Sequence, residues 1–253
     1  MNTIPPTNSF SVPRLLQVCI RFFVYNRRSW LIGFGAVTGF ILAIWLLPLL
    51  LASDPGHQYS FEQLQGTALL FYVLGGLLLT SNLFRELHTP SSAFQFLTLP
   101  ATTFEKLFAA WLISSLVYTI IVMAGLIGLS FIVESVSAMY TGAGINYTLF
   151  NPFSADSLNS IGNYFVFHSF FMLGAVYFKK NNFLKTFLTL IFLFFLLMSI
   201  STIGLLLMGD SVEAVVEITL FDEMSGIQVI FWTALTLFIL FLSYIRLRNK
   251  QVV

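Results

Sequence analysis

The sequence predicts an all-α polytopic integral membrane protein: six transmembrane helices with an N-terminal interfacial amphipathic helix. Three observations carry this. Only 9% of the 253 residues are Asp, Glu, Lys or Arg, where a soluble domain carries about 25%. Hydrophobic residues make up 57% and Phe alone occurs 29 times, at a mean hydropathy of +0.88, so there is more apolar surface than a globule of this size can hide. Six uncharged runs each supply the roughly 20 helical residues needed to cross a bilayer core of about 30 Å.

The chain opens Met1-Asn2-Thr3-Ile4-Pro5-Pro6. It lacks the basic, apolar, small-residue order of a cleaved leader, so residue 1 is expected to belong to the mature chain. Residues 13–28 place Leu15, Val18, Cys19, Phe22 and Phe23 on one helical face and Arg14, Gln17, Arg21 and Arg28 on the other, the pattern of a helix lying in the membrane interface with its basic face toward anionic headgroups. Cys19 then reads as a small apolar filler, and one thiol with three scattered histidines forms no disulfide or metal cluster.

The six runs are 29–53, 63–84, 107–133, 157–178, 186–209 and 224–245, with crossing segments placed at about 30–52, 64–84, 106–133, 159–178, 186–208 and 226–245. Ser60-Phe61-Glu62-Gln63 before the second and Thr102-Thr103-Phe104-Glu105 before the third fit the capping box. Between them, residues 87–104 are uncharged but carry Pro90, Pro100 and several Ser and Thr, so they are assigned to the interface. Thr89 as N-cap, Pro90 in the first turn and Pro100 as a stop predict a short helix over 90–98. A seventh uncharged run, 135–155, holds two glycines, Pro152 and polar residues; it reads as an outer loop, either wholly outside or partly re-entrant. No repeat or linker divides the chain, so a single domain over 1–253 is expected.

Charge placement selects the topology. With six spans and both termini cytoplasmic, all 12 basic residues lie inside: Arg14, Arg21, Arg27, Arg28, Arg85, Lys106, Lys179, Lys180, Lys185, Arg246, Arg248 and Lys250. Asp54, Glu62, Glu134, Asp156, Asp210, Glu213, Glu217, Asp222 and Glu223 lie outside, leaving Glu86 and Glu105 as the inner acids. Counting 135–155 as a span would expel the later basic clusters, against the positive-inside rule.

The six uncharged runs contain no Asp, Glu, Lys or Arg, and His168 is their one titratable base, so no catalytic constellation or ion-coupling charge is expected. Asn163 and His168 form a candidate polar path in the fourth span; an interhelical hydrogen bond of His168 is the simpler alternative. Gly35, Gly39 and Ala43 recur every fourth residue, a stripe suited to packing within the chain or to a dimer face. Asn146-Tyr147-Thr148 is a formal but weak glycosylation pattern. No phosphate-binding loop exists, so any ATP hydrolysis belongs to another subunit, and nothing indicates nucleic acid. The cytoplasmic segment 85–105 alone mixes signs, which suits a protein partner or an ordinary solvated loop.

Leu99-Pro100-Ala101-Thr102-Thr103-Phe104-Glu105-Lys106-Leu107 resembles the "LPAS-x-x-EK" segment of permease subunits of ABC-2-type transporters, a small bacterial six-span branch, with Thr102 in place of the usual Ser. The similar layout extends over most of the chain. The resemblance implies a bacterial plasma-membrane permease paired with a second permease copy or paralogue and driven by a separate ABC ATPase, on which ATP and Mg would bind. It also implies that the loop after the second span is the ATPase-coupling segment, with Arg85, Glu86, Ser91, Phe94, Glu105 and Lys106 as its candidate contacts. The Phe-rich spans favour an amphiphilic or lipid-like cargo. A non-transporting membrane scaffold or assembly factor is the alternative reading.

Overall fold

The computed structural model describes residues 10–51, 62–88, 90–141, 149–208 and 226–251, and these are helical apart from short connections. Among the described residues eight α-helices follow in order: α1 (Val12–Leu51), α2 (Glu62–Leu83), α3 (Pro90–Leu97), α4 (Thr103–Leu112), α5 (Tyr118–Thr141), α6 (Ala155–Tyr177), α7 (Asn182–Met208) and α8 (Gly226–Gln251). A 3₁₀ turn, Arg85–His88, precedes α3, and a π turn, Ile113–Val117, joins α4 to α5. Among the described residues four helical stretches are long and apolar enough to cross a membrane, those of α2, α4 to α5, α7 and α8, and bent α1, taken as one span, makes a fifth. The chain is therefore an all-helical protein suited to embedding in a bilayer.

The segment expected as the fourth span, α6, is a long helix but is not among those apolar stretches. Its Ser157, Tyr164, His168 and Ser169 are buried, and it packs against α2, α7 and α8. The reason is architectural: a helix at the centre of a bundle carries the bundle's internal polar contacts, which lower its hydropathy.

Other boundaries depart from expectation. The interfacial helix and first span form one helix bent by 54° at Ser29. Asn26 Nδ2 donates to the Phe22 carbonyl at 3.0 Å just before the bend, a side chain entering the backbone hydrogen-bond ladder. The third crossing run is interrupted by the π turn. Downstream, α5 continues to Thr141, into the expected outer loop, and α8 carries its helix through Arg246, Arg248 and Lys250. The centre of that loop, residues 142–148 with the glycosylation pattern, lies outside the described residues, as do Thr89, Ser60, Phe61 and the acids Asp54, Asp210, Glu213, Glu217, Asp222 and Glu223.

Cross-links gather the basic residues at one end of the bundle. Arg14 and Arg21 of α1 reach Glu105 and Glu86. His88 Nε2 meets the Ala175 carbonyl of α6 at 2.8 Å, Lys250 Nζ donates to the Val176 carbonyl at 2.6 Å, and Asn182 Nδ2 donates to the Ser81 carbonyl at 3.3 Å. The ends of α1, α2, α4, α6, α7 and α8 thus share one face.

Candidate functional site

The segment between α2 and α4 is shaped by local rules. Thr102 caps α4: the Glu105 N–H donates to Thr102 Oγ1 at 3.1 Å, and the Thr102 N–H donates to Glu105 Oε2 at 2.8 Å, completing the expected capping box. Short α3 ends at Leu97, three residues before Pro100. Its amphipathy is plain. Phe96 is buried, whereas Phe94 on the opposite side is 71% exposed.

What the pattern along the chain does not show is that α1 grips this segment. Glu105 Oε1 accepts from the Ser11 N–H at 2.7 Å and from Arg14 Nη2 at 3.3 Å. Arg21 Nη2 donates to Glu86 Oε2 at 2.7 Å. Between the two pairs, Phe22, Phe84 and Phe96 form a buried aromatic triad with ring centroids 6.0 to 6.3 Å apart. Arg21 and Lys106 lie over the Phe96 ring at 5.9 and 5.5 Å, arrangements that suit a ring's negative face.

The six candidate coupling residues are therefore not equivalent. Glu86, Glu105 and Lys106 are buried, with both carboxylates engaged by α1, while Arg85 and Phe94 are exposed. Ser91 belongs to α3, but its side chain lies outside the described residues. The basic face of the first half of α1 thus turns Arg14 and Arg21 onto protein carboxylates. Of the expected apolar face Val18 and Phe22 are buried, and Phe23 is exposed together with Leu16 and Ile20.

His88, at the end of the 3₁₀ turn, is half-buried against α6. Burial pushes its imidazole below the ordinary value; the Ala175 carbonyl opposes that shift, and the positive charges of Lys250 and Lys179 add to it.

Deeper in the bundle is a polar knot that sequence reasoning missed apart from His168. Tyr72 and Tyr118 stack with centroids 5.7 Å apart, and Tyr164 lies 5.0 Å from Tyr72. Gly75 and Gly76 make this possible: a Cβ on Gly76 would overlap the Tyr164 ring, and one on Gly75 would lie 2.9 Å from the Tyr118 hydroxyl. Tyr118 donates to the Tyr72 carbonyl at 2.7 Å, and the Tyr72 hydroxyl pairs with Thr119 Oγ1 at 2.8 Å. In the π turn the Tyr118 N–H bonds to the Ile113 carbonyl, five residues back, which relieves the Ser114 carbonyl of its ordinary partner. Tyr164 donates its hydroxyl to that carbonyl. The Ser114 hydroxyl gives its one proton to the Ala110 carbonyl at 2.8 Å, so at 2.7 Å from His168 Nε2 it accepts from the imidazole N–H. The readable signals are three tyrosines and a Gly-Gly pair in apolar runs.

Asn163 and His168 do not share a path. Five helical residues separate them by about 140° around the axis, and while His168 is fully buried, Asn163 is exposed. The small-residue stripe is also open: a Cβ on Gly35 or Gly39 would meet nothing within 4 Å, and Ala43 is exposed. Beside the tyrosines, α1, α2 and α5 enclose a groove of about 320 Å³ with Trp30, Phe34, Phe71, Tyr72 and Tyr118 on its walls and Asn26 and Asn82 as polar members.

Comparison of the chain with family models, with curated proteins and with solved structures gives no match.

Proposed function

We infer that the chain is the six-span permease subunit of an ATP-driven ABC transporter, working as a pair with a second permease and exporting an amphiphilic or lipid-like molecule. The observation that carries this reading is short helix α3, which is held by its buried Phe96 at the basic end of the bundle and presents Phe94 outward. A rigid surface helix bounded by prolines and tied into the bundle suits transmission of force from a cytoplasmic ATPase, and it falls in the segment that resembles the ABC-2 permeases. The topology supports it too. Placing α1 beyond its bend, α2, α4 to α5, α6, α7 and α8 as six spans leaves both termini and every basic residue on the cytoplasmic side of a bacterial plasma membrane.

In this reading the ATPase engages Phe94 and Arg85, while Glu86 and Glu105 fix the segment from within. The open Gly35, Gly39 and Ala43 stripe supplies the dimer face. The aromatic groove bounded by α1, α2 and α5 offers the cargo an apolar wall with two amide groups. ATP binding on the partner would provide the free-energy difference between two access states.

The test is reconstitution of the purified chain in liposomes with and without a candidate ABC ATPase, following ATP turnover and movement of a fluorescent lipid. Phe94→Glu is expected to abolish stimulated turnover while leaving the chain folded. Transport by the lone chain without ATP would point to a facilitator, and failure of any ATPase to bind would favour the scaffold.

A further inference from the structure

A second groove, of about 430 Å³, runs between α6, α7 and α8 at the basic end of the bundle. Phe170, Leu173, Leu190 and Leu242 give it apolar walls, and Arg246 and Asn249 stand among its polar members. Two further aromatic residues of its lining carry cations: the Arg246 guanidinium lies 4.8 Å over Tyr177, and Lys185 Nζ lies 5.9 Å over Phe178. Gly174 closes the floor, where α6 and α7 approach so tightly that a Cβ would overlap Thr186 Oγ1.

The charge around this groove is one-sided. Among the described residues the ion pairs are Arg14 with Glu105 and Arg21 with Glu86. Both inner acids are therefore engaged by α1, and Lys179, Lys180, Lys185, Arg246 and Arg248 have no acidic partner among those residues. Exposed cations bordering an apolar crevice between membrane-suited helices call for a ligand that is anionic at one end and hydrocarbon at the other. A free anion would leave the apolar walls without a partner, and an acidic protein surface would set carboxylates, not hydrocarbon, against them.

We propose that this groove binds an anionic phospholipid from the leaflet facing the basic end. One acyl chain lies along Phe170, Leu173, Leu190 and Leu242. The phosphodiester accepts hydrogen bonds from the Arg246 guanidinium and the Asn249 carboxamide, and Lys185 adds positive charge beside it. This inference needs only that the chain is embedded in a bilayer, and it stands or falls separately from the transport reading.

The experiment is native mass spectrometry of the full chain in detergent, titrated with phosphatidylglycerol, with phosphatidylcholine, and with phosphatidylglycerol in the presence of excess inorganic phosphate. One tight phosphatidylglycerol should be retained, phosphatidylcholine should not, and inorganic phosphate should not displace it. Paired Arg246→Gln and Lys185→Gln should weaken retention about tenfold or more. Thr189→Trp, which fills the groove and leaves every charge in place, should weaken it as well and serves as the second variant if the double one fails to fold. Equal retention of the two lipids, displacement by inorganic phosphate, a second copy of the chain covering the groove, or undiminished binding by both variants would each overturn the proposal.

Discussion

Two corners of the same end of the bundle carry positive charge and use it differently. At the first, α1 lays Arg14 and Arg21 on Glu105 and Glu86, with an aromatic triad between the pairs. At the second, around the α6–α7 connection and the end of α8, five cations have no acidic partner among the described residues, and Lys250 instead donates to a helix-terminal carbonyl. The positive-inside rule treats the two alike, because it counts charges by side. Structure separates charge that fixes the fold from charge that remains available to lipid or partner, and substitutions at the two corners should therefore differ in kind.

The sharpest way to break this comparison is Glu105→Ala. It removes the acceptor of Arg14 and of the Ser11 and Thr102 N–H groups together with half of a capping box, so a loss of about 3 kcal/mol is expected, at the low end for a buried pair because Arg14 stays partly exposed. Thermal unfolding in detergent measures it; a loss below that of an exposed-charge control would place the clamp among ordinary surface pairs. Gly174→Ala, behind the second corner, should cost about 2 kcal/mol by forcing α6 from α7, and adding Thr186→Gly should restore most of it. No recovery in the double variant would show that the overlap is not the cause.

A double-mutant cycle on Arg21 and Glu86 should return a coupling of about 1 kcal/mol, modest because a quarter of the arginine side chain faces out. His88 ties the corners together and adds a pH dependence. Its native pKa is depressed, so below the ordinary value of about 6.5 the unfolded chain binds a proton more readily than the folded one. Stability from this group is complete above that pH and is lost as pH falls toward the native value; His88→Gln should flatten that part of the profile. Smallest of all, Arg248→Gln should change stability by less than about 0.5 kcal/mol, since it is exposed and outside any ion pair among the described residues.

Much of the local structure was legible along the chain. The capping box at Thr102 and Glu105 forms, α3 stops before Pro100, and long apolar helices occupy four of the uncharged runs, with bent α1 as a fifth. These features depend on hydrogen bonds and steric limits acting over three or four residues, or on the thickness of a bilayer. The breaks were less legible. A π turn within an otherwise apolar run and a bend at Ser29 coincide with side chains meeting backbone carbonyls, a contact that hydropathy does not register.

The sequence by itself determined an all-helical chain suited to a bilayer, with its basic residues in clusters that a single topology can bring to one side. Only the tertiary structure decided which of those charges are occupied. Arg14 and Glu105 stand 91 positions apart, Arg21 and Glu86 65, and Ser114 and His168 54. No periodicity links such positions. They meet because helices pack along particular faces, and that choice rests on the shapes of distant surfaces: Gly75 and Gly76 seating tyrosine rings, Gly174 admitting Thr186, and a polar helix drawn to the bundle's centre where its groups find partners.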